Sequence, residues 1–249
     1  MEYRWIGPRP GDAPSIVFLH EGLGCVAMWR SFPERLAFAT GCGALVYSRM
    51  GYGASDAVGG PRPVRFMHDE ALEALPVILG HFKLEKVVLF GHSDGASIAL
   101  IHAGARSGSV RALVVEAPHV FVEPVCIESI ERVAADYGTT RLRERLARHH
   151  GDNTDSMFRT WSEVWLRPEF REWNIEEYLP AIECPVLVVQ GEDDQYGTVK
   201  QVDAVVNQVK GPAESLVLRH CGHSPHSERP EEVLEAAARF VRKTLDAVP

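Results

Sequence analysis

The stretch that most constrains the fold of this chain is VVLFGHSDGASI, residues 87–98. A run of β-branched and apolar residues, which favours a strand, leads into a serine set between two glycines, and a segment of helical period follows. Turning from strand to helix within so few residues forces the middle residue, Ser93, into a strained conformation, and the flanking glycines let strand and helix pass closely. The sequence therefore predicts that Ser93 stands on a sharp turn at the N-terminus of a helix.

Short strand-like runs alternate with helical segments along most of the chain. The predicted strands cover residues 15–20, 44–49, 86–92, 112–117, 186–191 and 215–220, and at most one further strand, YRWIG, precedes them. The predicted helices cover residues 27–39, 66–81, 94–105, 199–209 and 230–246. This alternation is typical of the α/β class, with a mostly parallel central sheet flanked by helices, and the continuous apolar strands fit a sheet covered on both faces.

The alternation breaks once, over residues 119–180. This segment holds charged amphipathic stretches and no strand-like run, and it is far longer than an ordinary connection between sheet strands. We therefore expect a core domain formed by residues 1–118 and 181–249, with residues 119–180 inserted between two strands as a helical cap, or lid.

Composition excludes several function classes. The 249 residues include 26 Lys and Arg against 34 Asp and Glu, a net charge of −8, and no basic block suggests a nucleic-acid partner. No apolar run approaches the ~20 residues that cross a bilayer. The 5 cysteines are scattered, which favours reduced thiols and a cytoplasmic location. The sequence leaves a homo-oligomer open.

A nucleophilic serine needs a base, and usually a carboxylate that orients the base. After the strand VLVVQ the chain offers Glu192, Asp193 and Asp194; His220 ends the strand SLVLRH, and His223 and His226 follow it. Both clusters follow strands, at the edge where open α/β sheets bind ligands. The three histidines could also be interpreted as a zinc cluster, but no helix or matching carboxylate pattern supports that interpretation.

Five motifs in order resemble those of the α/β-hydrolase fold superfamily: FLHEGLG, YSRMGYGASD, GHSDGA, QGEDDQYG and CGHSPHSERPEEV. The resemblance covers nearly the whole chain. It implies that Ser93 is the nucleophile, His223 the base and Asp194 the acid of a catalytic triad. Glu116, at another strand end, is the alternative acid, because some relatives place the carboxylate there.

The resemblance also implies an oxyanion hole formed by the backbone N–H groups of Gly22 and Asp94. HEGLG departs from the usual histidine–glycine opening by placing Glu21 after His20. Together with Asp94, this acid would disfavour carboxylate substrates through like-charge repulsion.

Aromatic residues of the insertion are candidates for a substrate pocket. We assign Phe121, Trp161 and Trp165 to it along with Glu21, although the spacing of four between the two tryptophans also fits a core-facing helix stripe. His226 is expected to pack or face solvent, and the pair 149–150, both histidines, to lie on the surface.

These motifs predict a serine hydrolase, without metal or cofactor, that cleaves an ester of a small-molecule acyl substrate. Related acyl bonds, namely a lactone, a thioester, an amide or the carbon–carbon bond of a diketone, stay open. The alternatives are a non-catalytic receptor or scaffold, and an acyltransferase on the same fold.

Overall fold

The computed structural model describes residues 1–106 and 108–246 of the chain. The strands in these residues are β1 Tyr3–Ile6, β2 Ser15–Leu19, β3 Gly43–Tyr47, β4 Val87–His92, β5 Val110–Glu116, β6 Val186–Gly191 and β7 Ala213–Leu218. The helices there are α1 Phe32–Thr40, α2 Phe66–Asp69, α3 Leu75–His81, α4 Asp94–Ala105, α5 Pro124–Tyr137, α6 Leu142–His150, α7 Thr154–Trp165, α8 Val199–Gln208, α9 Pro225–Glu228 and α10 Pro230–Asp246. Across the same residues, none of the helices is both long enough and apolar enough to span a membrane.

The strands form one sheet in the order β1-β3-β2-β4-β5-β6-β7. All neighbours pair in parallel except β1, which runs antiparallel to β3 at one edge. The predicted α/β class with a mostly parallel sheet is therefore confirmed. Because parallel strands end at the same edge of a sheet, the turns after β4, β6 and β7 all face one side of the molecule.

Alternate residues of each central strand enter two different cores. In β2, Val17 and Leu19 pack on the face covered by α4, whereas Ile16 and Phe18 pack on the face covered by α1 and α10. All five residues of this strand are buried. Burial on both faces explains why the strands read as continuous apolar runs.

Two predicted helices differ from those in the structure. Residues Val26–Trp29 form a 3-10 turn, and α1 begins only at Phe32, after Arg30 with its positive φ of 52°. The predicted helix 66–81 is interrupted by a π-helical segment, Glu70–Ala74. Pro76 follows it; because proline lacks an N–H and clashes with the carbonyl four residues back, it favours this local widening.

The segment between β5 and β6 is helical, with α5, α6 and α7 in succession. Its start is fixed by Glu123, whose buried carboxylate accepts hydrogen bonds from Thr198 N and Oγ and from Gln201 Nε2. Thr198 and Gln201 lie at the N-terminus of α8. The first residues of the insertion are thereby joined to the sheet layer.

The predicted surface position of the 149–150 pair is wrong for His150. Its side chain is buried, Nε2 lies 3.0 Å from the Leu23 carbonyl, and Nδ1 accepts a hydrogen bond of 2.9 Å from Gly53 N. The basic, polar residues around it in the sequence suggested exposure. In the structure the ring links α6 by hydrogen bonds to the loops that follow β2 and β3.

Candidate active site

Ser93 occupies the turn between β4 and α4, with φ 53° and ψ −118°. A non-glycine residue in this region costs about 1–3 kcal/mol, so the surrounding structure must enforce it. Close packing does so: a Cβ on Gly95 would collide with the backbone of Leu19, and a Cβ on Gly91 would lie 2.6 Å from Ala96 Cα. The strained turn predicted from the two glycines is present.

The side chains of Ser93, His223 and Asp194 form one hydrogen-bonded chain. Ser93 Oγ lies 2.9 Å from His223 Nε2, and His223 Nδ1 lies 2.9 Å and 2.8 Å from the two carboxylate oxygens of Asp194. Because an ionised carboxylate only accepts, Nδ1 carries the ring proton and Nε2 is left to accept from the serine hydroxyl. This arrangement suits proton transfer from Ser93 to His223.

The Asp194 carboxylate has further donors besides His223. Gln190 Nε2 donates to Oδ2 at 2.7 Å and Tyr196 N donates to Oδ1 at 2.8 Å. Burial pulls the pKa of Asp194 upward, but the electrostatic interaction and hydrogen bond with the ring of His223, together with the Tyr196 amide, outweigh it and hold that pKa below its ordinary value. The carboxylate is therefore kept ionised beside the imidazole.

The other two candidate acids contact histidines other than His223. Glu116 accepts from His226 N and pairs with His226 Nδ1, both at 2.5 Å, and it makes these bonds inside the core. Asp193 is exposed and its carboxylate lies 4.0 Å from the exposed ring of His220. The structure thus brings Asp194, and neither Glu116 nor Asp193, onto the ring of His223.

The three histidines considered for a metal do not converge, since each ring has its own carboxylate partner. A different trio, His92, Glu116 and His226, brings potential ligand atoms within 4.8 Å of one another, and all three residues are buried. Hydrogen bonds from His226 already occupy both oxygens of Glu116. We therefore interpret this trio as a buried ion-pair cluster.

A cavity of about 490 Å³ opens above Ser93. The insertion supplies much of its wall: Cys126, Ile130, Leu142, Arg145, Trp161 and Trp165. Glu21, which the sequence analysis assigned to a substrate pocket, also lies on the wall of this cavity. Phe121 does not; it forms a bridge with Asn174 and packs against the core. Aromatic character alone did not reveal which insertion residues face the cavity.

The two predicted oxyanion donors belong to residues that line the cavity beside Ser93. Asp94 is the first residue of α4, and the first N–H groups of a helix have no acceptor within it. Gly22 lies against Trp161, so close that a Cβ there would be 2.6 Å from Cδ1 of the indole. Amides at these positions, near a helix N-terminus, suit a developing negative charge.

The Asp94 side chain is 1% exposed. Burial raises the pKa of its carboxyl, although Arg49 and Arg62 act in the opposite direction. The indole N–H of Trp165 also lowers this pKa, but burial outweighs it together with the two arginines. This carboxyl is therefore costly to keep ionised in the resting protein.

Comparison with known proteins decides the family. Residues 16–236 match the alpha/beta hydrolase family. The chain belongs to this family. Membership agrees with the sheet order, the strained serine turn and the position of the cavity at the carboxyl ends of the strands.

Several members of the family resemble the chain over most of its length. It is 26% identical to a 2-succinyl-6-hydroxy-2,4-cyclohexadiene-1-carboxylate synthase of Salmonella agona, over 94% of this chain and 96% of the relative. It is 28% identical to the human serine hydrolase BPHL, over 77% of this chain and 67% of the relative. A carboxylesterase structure from Nitrososphaera gargenis superposes with a TM-score of 0.80 at 19% identity, covering 99% and 96% of the two chains. At that identity the last match shows the fold alone.

Two residues of this alpha/beta hydrolase site escaped the sequence analysis. Gln190 donates a hydrogen bond to Asp194, and its signal was a polar residue next to the last position of the otherwise apolar strand VLVVQG. His92 precedes the serine, and its Nε2 lies 2.7 Å from the backbone carbonyl of His223. Only the fold reveals that contact, because 131 positions separate the two residues.

Proposed function

We propose that the protein is a serine hydrolase that cleaves a carboxylic ester, or a related acyl bond, of a small molecule. The observation that carries the proposal is the continuous chain from Ser93 Oγ through the ring of His223 to Asp194, with steps of 2.9 Å and 2.8 Å. Nucleophile, base and orienting acid are all within hydrogen-bond reach of one another, as acyl transfer through a serine requires.

In the first half of the reaction, His223 Nε2 takes the hydroxyl proton while Ser93 Oγ attacks the carbonyl carbon. Asp194 holds the imidazole in the required tautomer and stabilises its positive charge. The negative charge that develops on the carbonyl oxygen is stabilised by the N–H groups of Gly22 and Asp94. His223 then gives its proton to the leaving alcohol, and an acyl-enzyme on Ser93 remains.

In the second half, a water molecule gives a proton to His223 and attacks the acyl carbon. The tetrahedral intermediate collapses, Ser93 recovers its proton from His223, and the carboxylic acid leaves. Each proton that His223 accepts is returned within the cycle, so the triad ends in its starting state.

The cavity supports a small-molecule substrate. Its volume of about 490 Å³ lies within the range of small-ligand sites, and Trp161, Trp165 and Ile130 give it an apolar wall. The name of the human relative, a serine hydrolase, supports attack on the substrate by a serine. We propose that residues 119–180 act as the lid over this cavity.

The test combines a fluorophosphonate probe with short p-nitrophenyl esters. We expect covalent labelling and ester hydrolysis in the wild type and neither in Ser93→Ala. Ser162→Ala is the matched control: this buried hydroxyl on α7 donates to the carbonyls of Phe158 and Arg159 in its own helix, so the variant should still be labelled.

Two other outcomes would replace the proposal. Saturable ester binding without turnover or labelling would indicate a non-catalytic receptor. Formation of a new ester when an alcohol is added, with little free acid, would indicate an acyltransferase.

A further inference from the structure

Glu21, the residue that departs from the usual histidine–glycine opening, faces the residue before the nucleophile. Glu21 follows β2, its side chain is 21% exposed, and its Oε2 lies 3.4 Å from Nδ1 of His92. His92 ends β4 and is 1% exposed. The loop after β2 that holds Glu21 and Gly22 is called the oxyanion loop below. A carboxylate of this loop thus lies beside the ring of His92, in the turn that carries Ser93.

The second nitrogen of His92 reaches the loop that carries the proposed base. His92 Nε2 lies 2.7 Å from the backbone carbonyl oxygen of His223. A carbonyl only accepts hydrogen bonds, so Nε2 must carry a proton. Nδ1 faces an acceptor as well, the carboxylate of Glu21. Among the described residues Nδ1 makes no hydrogen bond, and its 3.4 Å contact with the carboxylate is attractive only when both ring nitrogens carry a proton.

The charges around His92 favour this state. Burial lowers the pKa of His92, but the carboxylates of Glu21 and Glu116 and the carbonyl of His223 outweigh it and raise that pKa to about 9. The pKa of Glu21 is lowered in return, against the effect of its own burial. The neighbouring ring of His226, with its centroid 5.1 Å away, pairs with Glu116.

We propose that Glu21 and His92 are positioning residues for His223. This inference rests on the proposed function. The charged ring of His92 joins three segments of the site, the oxyanion loop at Glu21, the turn at Ser93 and the loop after β7, and its bond to the His223 carbonyl fixes where the base stands relative to the nucleophile. Glu21 acts on His223 through His92.

The arrangement makes activity sensitive to alkaline pH. When His92 loses a proton, either Nδ1 or Nε2 becomes a lone pair that faces an acceptor, and that contact becomes repulsive. The titratable groups around this ring are Glu21, Glu116, His119, His223 and His226. We expect kcat to fall as pH rises through about 9, the pKa of His92.

The experiment compares the pH profiles of wild type, Glu21→Gln and Glu228→Gln on a p-nitrophenyl ester. Glu228 is the matched control: its carboxylate accepts from Gly222 N at 2.8 Å and Ser224 N at 3.1 Å, so it holds the same loop without facing His92. In Glu21→Gln, kcat should fall about tenfold with little change in KM, since His223 would be less well placed for proton transfer in the transition state. The pH at which kcat declines on the alkaline side should be lower in Glu21→Gln than in wild type, whereas Glu228→Gln should decline at the wild-type pH.

A Glu21→Gln profile that coincides with the wild-type profile would overturn the inference. So would 15N-histidine NMR of the wild type at pH 7.5 showing a neutral His92 ring, a measurement that needs neither the variant to fold nor the protein to turn over substrate. Failure of the proposed function looks different: hydrolysis would be absent or would survive Ser93→Ala.

Discussion

Ser93 Oγ and His223 Nε2 lie 2.9 Å apart although 130 positions separate the two residues in the chain. One stands on the turn after β4, near the middle of the sheet, and the other in the loop after β7, at its edge. They meet because both strands run parallel and end at the same side of the sheet. Asp194, after β6, reaches the same place from a third loop. Each of the three hydrogen-bonded residues can therefore be substituted without altering the strands and loops that carry the other two.

Exchanging Asp194 for Asn should abolish most activity while leaving the fold intact. The amide can donate to Nδ1 of His223 and so stabilise the wrong tautomer, an effect on the order of 10⁴ in kcat for a serine triad. Glu116→Gln should retain most activity at pH 7, because Glu116 bonds to His226 and reaches His223 only through its effect on the pKa of His92. Steady-state kinetics on a p-nitrophenyl ester, with thermal melts for both variants, checks this. If Glu116→Gln is the inactive one and Asp194→Asn works, the acid has been assigned wrongly.

Asp94→Asn should stabilise the protein at neutral pH. Burial raises the pKa of this carboxyl in the folded state, so the folded protein binds a proton more tightly than the unfolded chain, and stability falls as pH rises through that raised pKa. Asparagine has no charge to desolvate. We expect Tm to rise by about 2–4 °C at pH 7.5, the shift that ~1 kcal/mol causes in a chain of this size. The gain should vanish near pH 3; a gain that persists there would point to packing instead.

Some features of the site could be predicted from local sequence and others could not. Ser93 was predictable because a strained strand-to-helix turn needs flanking glycines and a preceding apolar strand, and both can be recognised in the sequence. Asp194 and His223 were placed by family resemblance and by the rule that parallel strands end together. In each case the signal lay within about ten residues of the strand end.

What the sequence did not reveal depends on packing between distant segments. Whether Phe121 faces the cavity is decided by its bridge to Asn174, and whether His150 is exposed is decided by Leu23 and Gly53. The partner of Glu116 could not be read from spacing either. Such contacts produce no periodic pattern in the local sequence. A single sequence therefore cannot distinguish a residue buried in one of them from a residue exposed on the surface.

The pairing of Glu116 with His226 predicts a pH dependence of stability. Burial alone would raise the pKa of Glu116, but His226 outweighs it and the pKa lies below its ordinary value of 4.5. A carboxyl whose pKa is lowered by folding stabilises the protein above the unfolded-state pKa, and that contribution is lost as pH falls through the folded-state pKa. Urea unfolding from pH 7 to pH 3 should therefore show a steeper decline for wild type than for Glu116→Gln. Glu163→Gln, at an exposed position on α7, is the control and should follow wild type.

The contact between Gly22 and Trp161 predicts a compensating pair of substitutions. An added Cβ at position 22 would enter the indole ring, 2.6 Å from Cδ1, and would push the oxyanion loop away from Ser93. Gly22→Ala should therefore lower kcat/KM by about 10²-fold, the scale of losing one oxyanion donor. Trp161→Ala opens the space that the new methyl group needs, so the double variant should exceed Gly22→Ala in activity even though Trp161→Ala alone weakens substrate binding. A double-mutant cycle in kcat/KM measures this coupling. Strictly additive losses would mean that Gly22 is required for its backbone conformation, and that the indole does not set the position of the loop.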